Sequence, residues 1–142
     1  MSRRGGQSMI EFCLVAFMTL IMLLFVVEMG RALLVYATVA NAARAGVRYA
    51  IVHGSSRAVG AASNDASGPA ANPAQVLTVV KDFASAGLLT TSRLVINVTY
   101  PGASNDPGQY VNITVVYPYD PLTNYFSKTL RLGSAAQGII VF

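Results

Sequence analysis

Gly6-Gln7-Ser8-Met9-Ile10-Glu11-Phe12 opens a stretch that carries no further charge until Glu28. Arg3 and Arg4 stand directly before it, and between Phe12 and Val27 only Thr19 is clearly polar. As a helix rising about 1.5 Å per residue, Phe12 to Val27 covers roughly 24 Å. Met9 and Ile10 extend it, so a transmembrane segment is expected at about 9–27. That is near the short end of the about 17–25 residues that span a bilayer. No proline occurs between Ser8 and Val52, and Leu, Met and Ala are abundant there. One continuous helix is therefore predicted over 7–52, weakened only at Gly30 and Gly46, with residues 1–6 as a short basic leader.

Glu11 is the unusual residue of this stretch. A carboxylate held at depth in lipid costs about 2.5–3.5 kcal/mol on an insertion scale. Two readings stand: at headgroup level it is simply wet, and deeper it has a partner. Orientation follows from Arg3 and Arg4, which the positive-inside rule keeps in the cytoplasm, so the rest of the chain lies outside. Arg31, Arg44 and Arg48 follow the span but sit on the continuing helix, not in a short loop.

The composition agrees with a membrane or assembly role. Of the 142 residues, 54% are hydrophobic and 11% charged, too apolar for an ordinary soluble domain of this size. The net charge of +4 comes without a basic cluster interleaved with aromatics, so nucleic-acid binding has no support. The single cysteine, Cys13, falls in the apolar run, where it reads as a small apolar filler. An extracytoplasmic head is then held by packing alone.

Past Glu28 the helix turns amphipathic. Leu33, Tyr36, Ala37, Ala40 and Val47 are expected on the packed side, and Asn41, Arg44 and Arg48 on a polar stripe. Ala42, Gly46 and Ala50 recur every fourth residue. They are candidate helix-packing positions, or else plain alanine-rich helix. Residues 53–71 are small and polar and read as a linker loop. A head over 72–142 begins with a helix: Asn72 as cap, Pro73 at its first position, Gln75 completing a capping box, and Gly87 as the stop. Val76, Val80 and Phe83 line one face of it.

The period then changes to two. Leu94, Ile96, Val98 and Tyr100 alternate with polar or outward residues, Pro101 to Gly108 turns, and Val111, Ile113, Val115 and Tyr117 alternate again. This predicts a hairpin that Pro118 and Pro121 end. An irregular return through Tyr125, Phe126, Leu130 and Leu132 and a short strand over Ile139–Phe142 complete an α+β, pilin-like architecture. The long N-terminal helix has a membrane-spanning first half and an amphipathic second half. The small head has one helix and an antiparallel sheet. There is no internal repeat and no coiled-coil heptad.

Three stretches together resemble the TadE-like pseudopilins of the tight-adherence (Tad) branch of type IV pilus systems. They are Arg3 to Phe12, then Glu28-Met29-Gly30-Arg31 leading to the run Asn41 to Ala50, and Val111 to Leu122. The Asn-Ala-Ala-Arg-x-Gly-x-Arg-Tyr-Ala run is the most specific of them. The resemblance implies a structural minor pilin or pseudopilin that takes part in pilus assembly or adherence, and not an enzyme. It implies cutting between Gly6 and Gln7 by a membrane prepilin peptidase, with Glu11 neutralising the new amino terminus of a neighbouring subunit. Its partners are then other pilins, the Tad assembly machinery and the membrane, with self-assembly possible. It implies a single-pass bacterial inner-membrane protein that later reaches the pilus and cell surface. Many type IV pilins begin the mature chain with an apolar residue, whereas Gln7 stands here. Major Tad pilins are typically much shorter.

No catalytic set, metal set or cofactor site can be assembled. His53 is the only histidine, Cys13 the only thiol, and no glycine loop with a following lysine is present. His53 reads as a helix-end residue. The sequons Asn97-Val98-Thr99 and Asn112-Ile113-Thr114 fall on predicted strands, where they are the outward face of an alternation. Asp65 and Asp106 read as turn residues. Tyr117, Tyr119, Tyr125 and Phe126 are either core or an exposed contact patch. The competing reading is a permanently anchored or secreted extracytoplasmic binding protein. A secretory site of the right type, Ala40-Asn41-Ala42, lies about thirteen residues too far beyond the apolar run, and that reading leaves Glu11 without a role.

Overall fold

A computed structural model describes residues 4–55, 73–121 and 129–141. Leader residues 1–3, most of the 53–71 linker with Asp65, the cap Asn72, and the aromatics Tyr125 and Phe126 lie outside the described residues. The elements run α1 (Arg4–Val52), α2 (Ala74–Ala86), a single 3-10 turn (Thr91–Arg93), β1 (Val95–Thr99), β2 (Tyr110–Tyr119) and β3 (Leu130–Ile139). This is an α+β, pilin-like architecture. The chain divides into two compact units, Met1–Leu33 and Leu34–Phe142.

The first unit is helix. It begins at Arg4, ahead of the expected start, because no proline breaks Arg4-Gly5-Gly6 and two glycines only weaken a helix. Every residue from Gly6 to Val27 is exposed.

The second unit has its own core. Here α1 buries Val39, Ala42, Ala43, Gly46, Val47 and Ala50, a seam at the i, i+3, i+4, i+7 spacing of one helix face. This differs from the packed side expected. Leu33 is 62% exposed and Tyr36 48%, Ala37 is exposed and Ala40 half-buried, and only Val47 keeps its assignment. The buried face is the small-residue face because the rest of the unit approaches it closely. A Cβ on Gly46 would stand 2.5 Å from Val80 Cγ2 and 3.0 Å from Ile113 Cδ1. One on Gly138 would stand 2.6 Å from both Ile51 Cδ1 and Val47 Cγ1.

α2 buries Val76, Val80 and Ala84 at four-residue spacing, whereas Phe83 is 44% exposed. The helix begins one residue later than expected. Pro73 is its N-cap, with Leu77 N–H donating to the Pro73 carbonyl at 3.1 Å and no side-chain cap. At its end Leu88 N–H donates to Ser85 O (2.9 Å) and Leu89 N–H to Ala84 O (3.1 Å), the Schellman pattern. The residue in the left-handed conformation there is Leu88, φ 62°, and not Gly87.

The sheet has the order β1-β2-β3, antiparallel throughout. Val98 on β1 and Val111, Ile113 and Val115 on β2 face the core and are fully buried. Burying such a side chain contributes about 1.5–3 kcal/mol. The expected end of β2 at Pro118 is too early, since pairing runs on through Pro118↔Arg131 to Tyr119↔Leu130. β1 stops at Val95 opposite Val116, so one flank of β2 is open at Pro118 and a missing N–H costs nothing there. The expected irregular return and the tail strand over Ile139–Phe142 are both corrected: Leu130 and Leu132 stand in β3, which ends at Ile139, and Ile140 and Val141 lie beyond it. Leu130 to Ile139 is full of Gly, Ala and Ser, which carry little strand propensity, and ten paired positions on β2 override it.

The two interior glycines of α1 should respond oppositely to a side chain. At Gly30 nothing lies within 4 Å of the place a methyl group would take, so Gly30→Ala should hold or raise the thermal midpoint, by up to about 1 kcal/mol in helix propensity. Gly46→Val should cost about 1–3 kcal/mol through overpacking. Thermal unfolding of the full chain in detergent, followed by circular dichroism, checks both.

Candidate functional site

The feature that stands apart chemically is the surface of α1 between Gly6 and Glu28. Phe12, Phe17, Met22, Leu23 and Phe25 are each 59–74% exposed, and the apolar side chains occupy every direction around the helix. Between Phe12 and Val27 the one clearly polar side chain, Thr19, turns inward: its Oγ1 donates to the Val15 carbonyl at 2.8 Å. A hydroxyl satisfied within its own helix needs no water. By length and composition the helix is able to cross a membrane.

The flanks carry the charges. Gly6 and Gln7 are exposed helical residues, and nothing lies within 4 Å of the space a Gly6 side chain would take. Glu11 is exposed one helical turn beyond Gln7, so the two share a face. At the other end Arg31 Nη1 lies 3.3 Å from Glu28 Oε2, closing the apolar run with an i, i+3 ion pair. Its signal in the sequence is simply two opposite charges three residues apart.

The remaining candidates fall in the second unit. Ala42, Gly46 and Ala50 are all buried, with Val80 and Ile113 as the neighbours of Gly46. The polar stripe divides: Asn41, Arg44 and Arg48 are exposed, with Arg44 Nη1 donating to Asn41 Oδ1 at 3.2 Å. Tyr117 and Tyr119 are buried, and the Arg93 guanidinium lies 5.9 Å from the Tyr117 ring centroid while donating to Asp120 at 2.6 Å. Among the sequon residues Asn97, Thr99 and Thr114 are exposed and Asn112 half-buried. Cys13 is an exposed free thiol in the apolar run. Among the described residues no group of three His, Cys, Asp or Glu converges.

A polar clasp at the C-terminal end of α1 has no local sequence signal. His53 is buried, stacks on Tyr49 with 3.8 Å between ring centroids, and sets Nδ1 2.7 Å from the Tyr49 carbonyl. Val141 N–H donates to the Ile51 carbonyl (3.0 Å), one of the acceptors a helix end leaves open. Ser55 N–H donates to Asn105 O (3.1 Å) and Ser55 Oγ to Asp106 Oδ1 (2.5 Å), while Ser104 Oγ donates to Asp106 Oδ2. Fifty-one residues separate Ser55 from Asp106, so only the fold brings them together. The hydrogen bonds from Ser104 and then Ser55 hold the Asp106 carboxyl below its ordinary range.

Residues 6–48 match the family described as TadE-like protein. The segment is TadE-like. The match begins at Gly6, contains Glu11, the whole apolar run and both Arg44 and Arg48, and ends four residues before the end of α1. No curated protein and no solved structure matches the chain. The TadE-like family is pilus-related, and the matched segment is the N-terminal apolar helix, less than half of the chain.

Asp106 yields a pH test. A carboxyl whose pKa is lower in the folded state stabilises the fold fully above its unfolded value, about 3.9. That contribution is lost as pH falls through the lower, folded value. The thermal midpoint of the parent should therefore fall more steeply below about pH 4 than that of Asp106→Asn. Midpoints recorded from pH 2 to 7 check this.

Proposed function

We propose that this TadE-like chain is a structural minor pilin or pseudopilin of a Tad-type pilus. It is inserted in the bacterial inner membrane with its N-terminus in the cytoplasm, and prepilin peptidase cuts it between Gly6 and Gln7. It then takes part in pilus assembly or adherence with other pilins and the Tad machinery. The observation that carries this reading is an apolar helix surface with no preferred side, exposed from end to end, within the TadE-like match. Such a surface is covered equally well by lipid and by several parallel helices. Glycine at the cleavage position lets an extended backbone lie in a narrow protease cleft. In this reading Glu11, exposed on the face of Gln7, neutralises the amino terminus created at Gln7 of a neighbouring copy. An acid and an ammonium in a dry bundle are each costly alone and far cheaper paired.

The mature N-terminus, read by mass spectrometry, tests processing. It should begin at Gln7, and Gly6→Val should accumulate as the uncut chain. Glu11→Ala should insert and be cut normally, while its share in sheared filaments drops about tenfold or more, as for a buried charge left without its counterpart at about 3–5 kcal/mol. Wild-type incorporation of Glu11→Ala would mean that the acid is merely interfacial.

Val27→Lys separates a filament subunit from a permanent anchor. At the outer end of the span a lysine snorkels to water, so the variant should remain a stable, processed membrane protein. Inside packed helices it has no such exit and should be lost from filaments. A parent chain that never leaves the membrane fraction would favour the anchored alternative.

A further inference from the structure

Within the second unit α2 runs antiparallel to α1. A Cβ on Gly46 would meet Val80 and, at 3.7 Å, Val76, whereas one on Gly87 would collide with the Thr38 methyl group. Passing along α2 from Val80 to Gly87 therefore moves back along α1 from Gly46 to Thr38. The C-terminal end of α2 thus lies at the end of the unit where α1 enters it, at Leu34. Leu88 follows Gly87 there. At 93% exposed it is the most exposed large apolar side chain among the described residues, ahead of every member of the apolar run. Its φ of 62° is left-handed, at a place where glycine or asparagine is usual. The apolar contact that accompanies such a helix end is made by its neighbour Leu89, which is buried. Leu88 therefore bears a backbone cost that glycine avoids, and its side chain gains no burial within the chain.

A second, independent observation concerns α1 at the same end. Leu33, Leu34 and Tyr36 are all exposed, although each is large and apolar in body. Leu34 stands one turn before Thr38, whose Oγ1 donates to the Leu34 carbonyl at 2.9 Å. At about 100° per residue the three side chains spread over nearly half of the helix circumference. A single helix docked alongside leaves part of that arc uncovered, whereas a bilayer surface meets all of it. Tyrosine is moreover one of the two residue types enriched at the boundary of membrane and water.

We propose that Leu88, together with Leu34 and Tyr36, seats the head on the surface of the lipid bilayer. The inference rests on the reading above that α1 crosses a membrane. Leu34 follows Glu28 by six residues of one helix, about 9 Å of rise, and the headgroup zone beyond the hydrocarbon is itself about 5–8 Å deep. A tilt of about 20°, ordinary for a spanning helix, lowers the side carrying Leu34 and Leu88 into that zone. The leucine then finds the apolar surroundings that the fold does not give it. The contact is apolar, so an uncharged lipid is enough to make it.

The test uses the full chain in phosphatidylcholine vesicles, part of whose lipid bears a nitroxide high on the acyl chain. A fluorophore is attached to Ala86→Cys or, at the other end of α2, to Ala74→Cys, each in a Cys13→Ala background. Both positions are exposed. The label on Ala86→Cys should be quenched by the lipid nitroxide at least about twofold more than the label on Ala74→Cys. Adding Leu88→Gly should hold or raise the thermal midpoint in detergent, since glycine is the usual residue there, and should cut the excess quenching at least about twofold. Equal quenching at the two ends of α2, or quenching that Leu88→Gly leaves unchanged, overturns the proposal. A label on Ala86→Cys that is shielded from aqueous iodide yet untouched by the lipid nitroxide overturns it in favour of a protein occupant. Native Cys13, exposed in the apolar run, separates this inference from the reading beneath it when the parent chain is labelled there. A quenched Cys13 label beside an unquenched Ala86→Cys label defeats the head contact alone. An unquenched Cys13 label defeats membrane insertion and the head contact together.

Discussion

Close approach of the second half of α1 to its surroundings is the constraint from which the head follows. Gly46 admits Val80 and Ile113, and Gly138 admits Val47 and Ile51, at separations where any Cβ would collide. A helix face made of alanine and glycine buries little apolar area itself. The bulk must come from the facing elements, and it does: Val76 and Val80 on α2, and Val98, Val111, Ile113 and Val115 on the sheet are all fully buried. The same closeness brings the chain end to the helix end, where Val141 caps the Ile51 carbonyl. With no intrachain disulfide available to a chain with one cysteine, this packing is what the head has.

The first unit answers to the opposite constraint. Along its apolar run the backbone hydrogen bonds are closed within the helix, the Thr19 hydroxyl is closed on Val15, and the outer charges, Glu28 and Arg31, close on each other. What its stretch from Phe12 to Val27 leaves uncovered is apolar area, in all directions. Apolar burial is non-directional. A surface with that demand accepts lipid or neighbouring helices without changing its fold, which is why it supports the proposed passage from membrane to filament.

Much of this was legible in the residues. The uncharged stretch from Phe12 to Val27 and the lack of proline specify the long helix, and the strict alternation in Val111 to Tyr117 specifies the hairpin, because each is a local periodicity. The buried side of α1 was not legible. Leu33 and Tyr36 are large and look like core, but which face is buried depends on what comes near it, and a glycine at position 46 signals that only once Val80 and Ile113 are known to be there. β3 escaped for a related reason. Its own composition argues against a strand, and its existence rests on ten partners supplied by β2. For the candidate site, Gly6, Gln7 and Glu11 were marked by their order in the chain, which a sequence displays directly. The Ser55–Asp106 clasp joins residues 51 apart and carries no such mark.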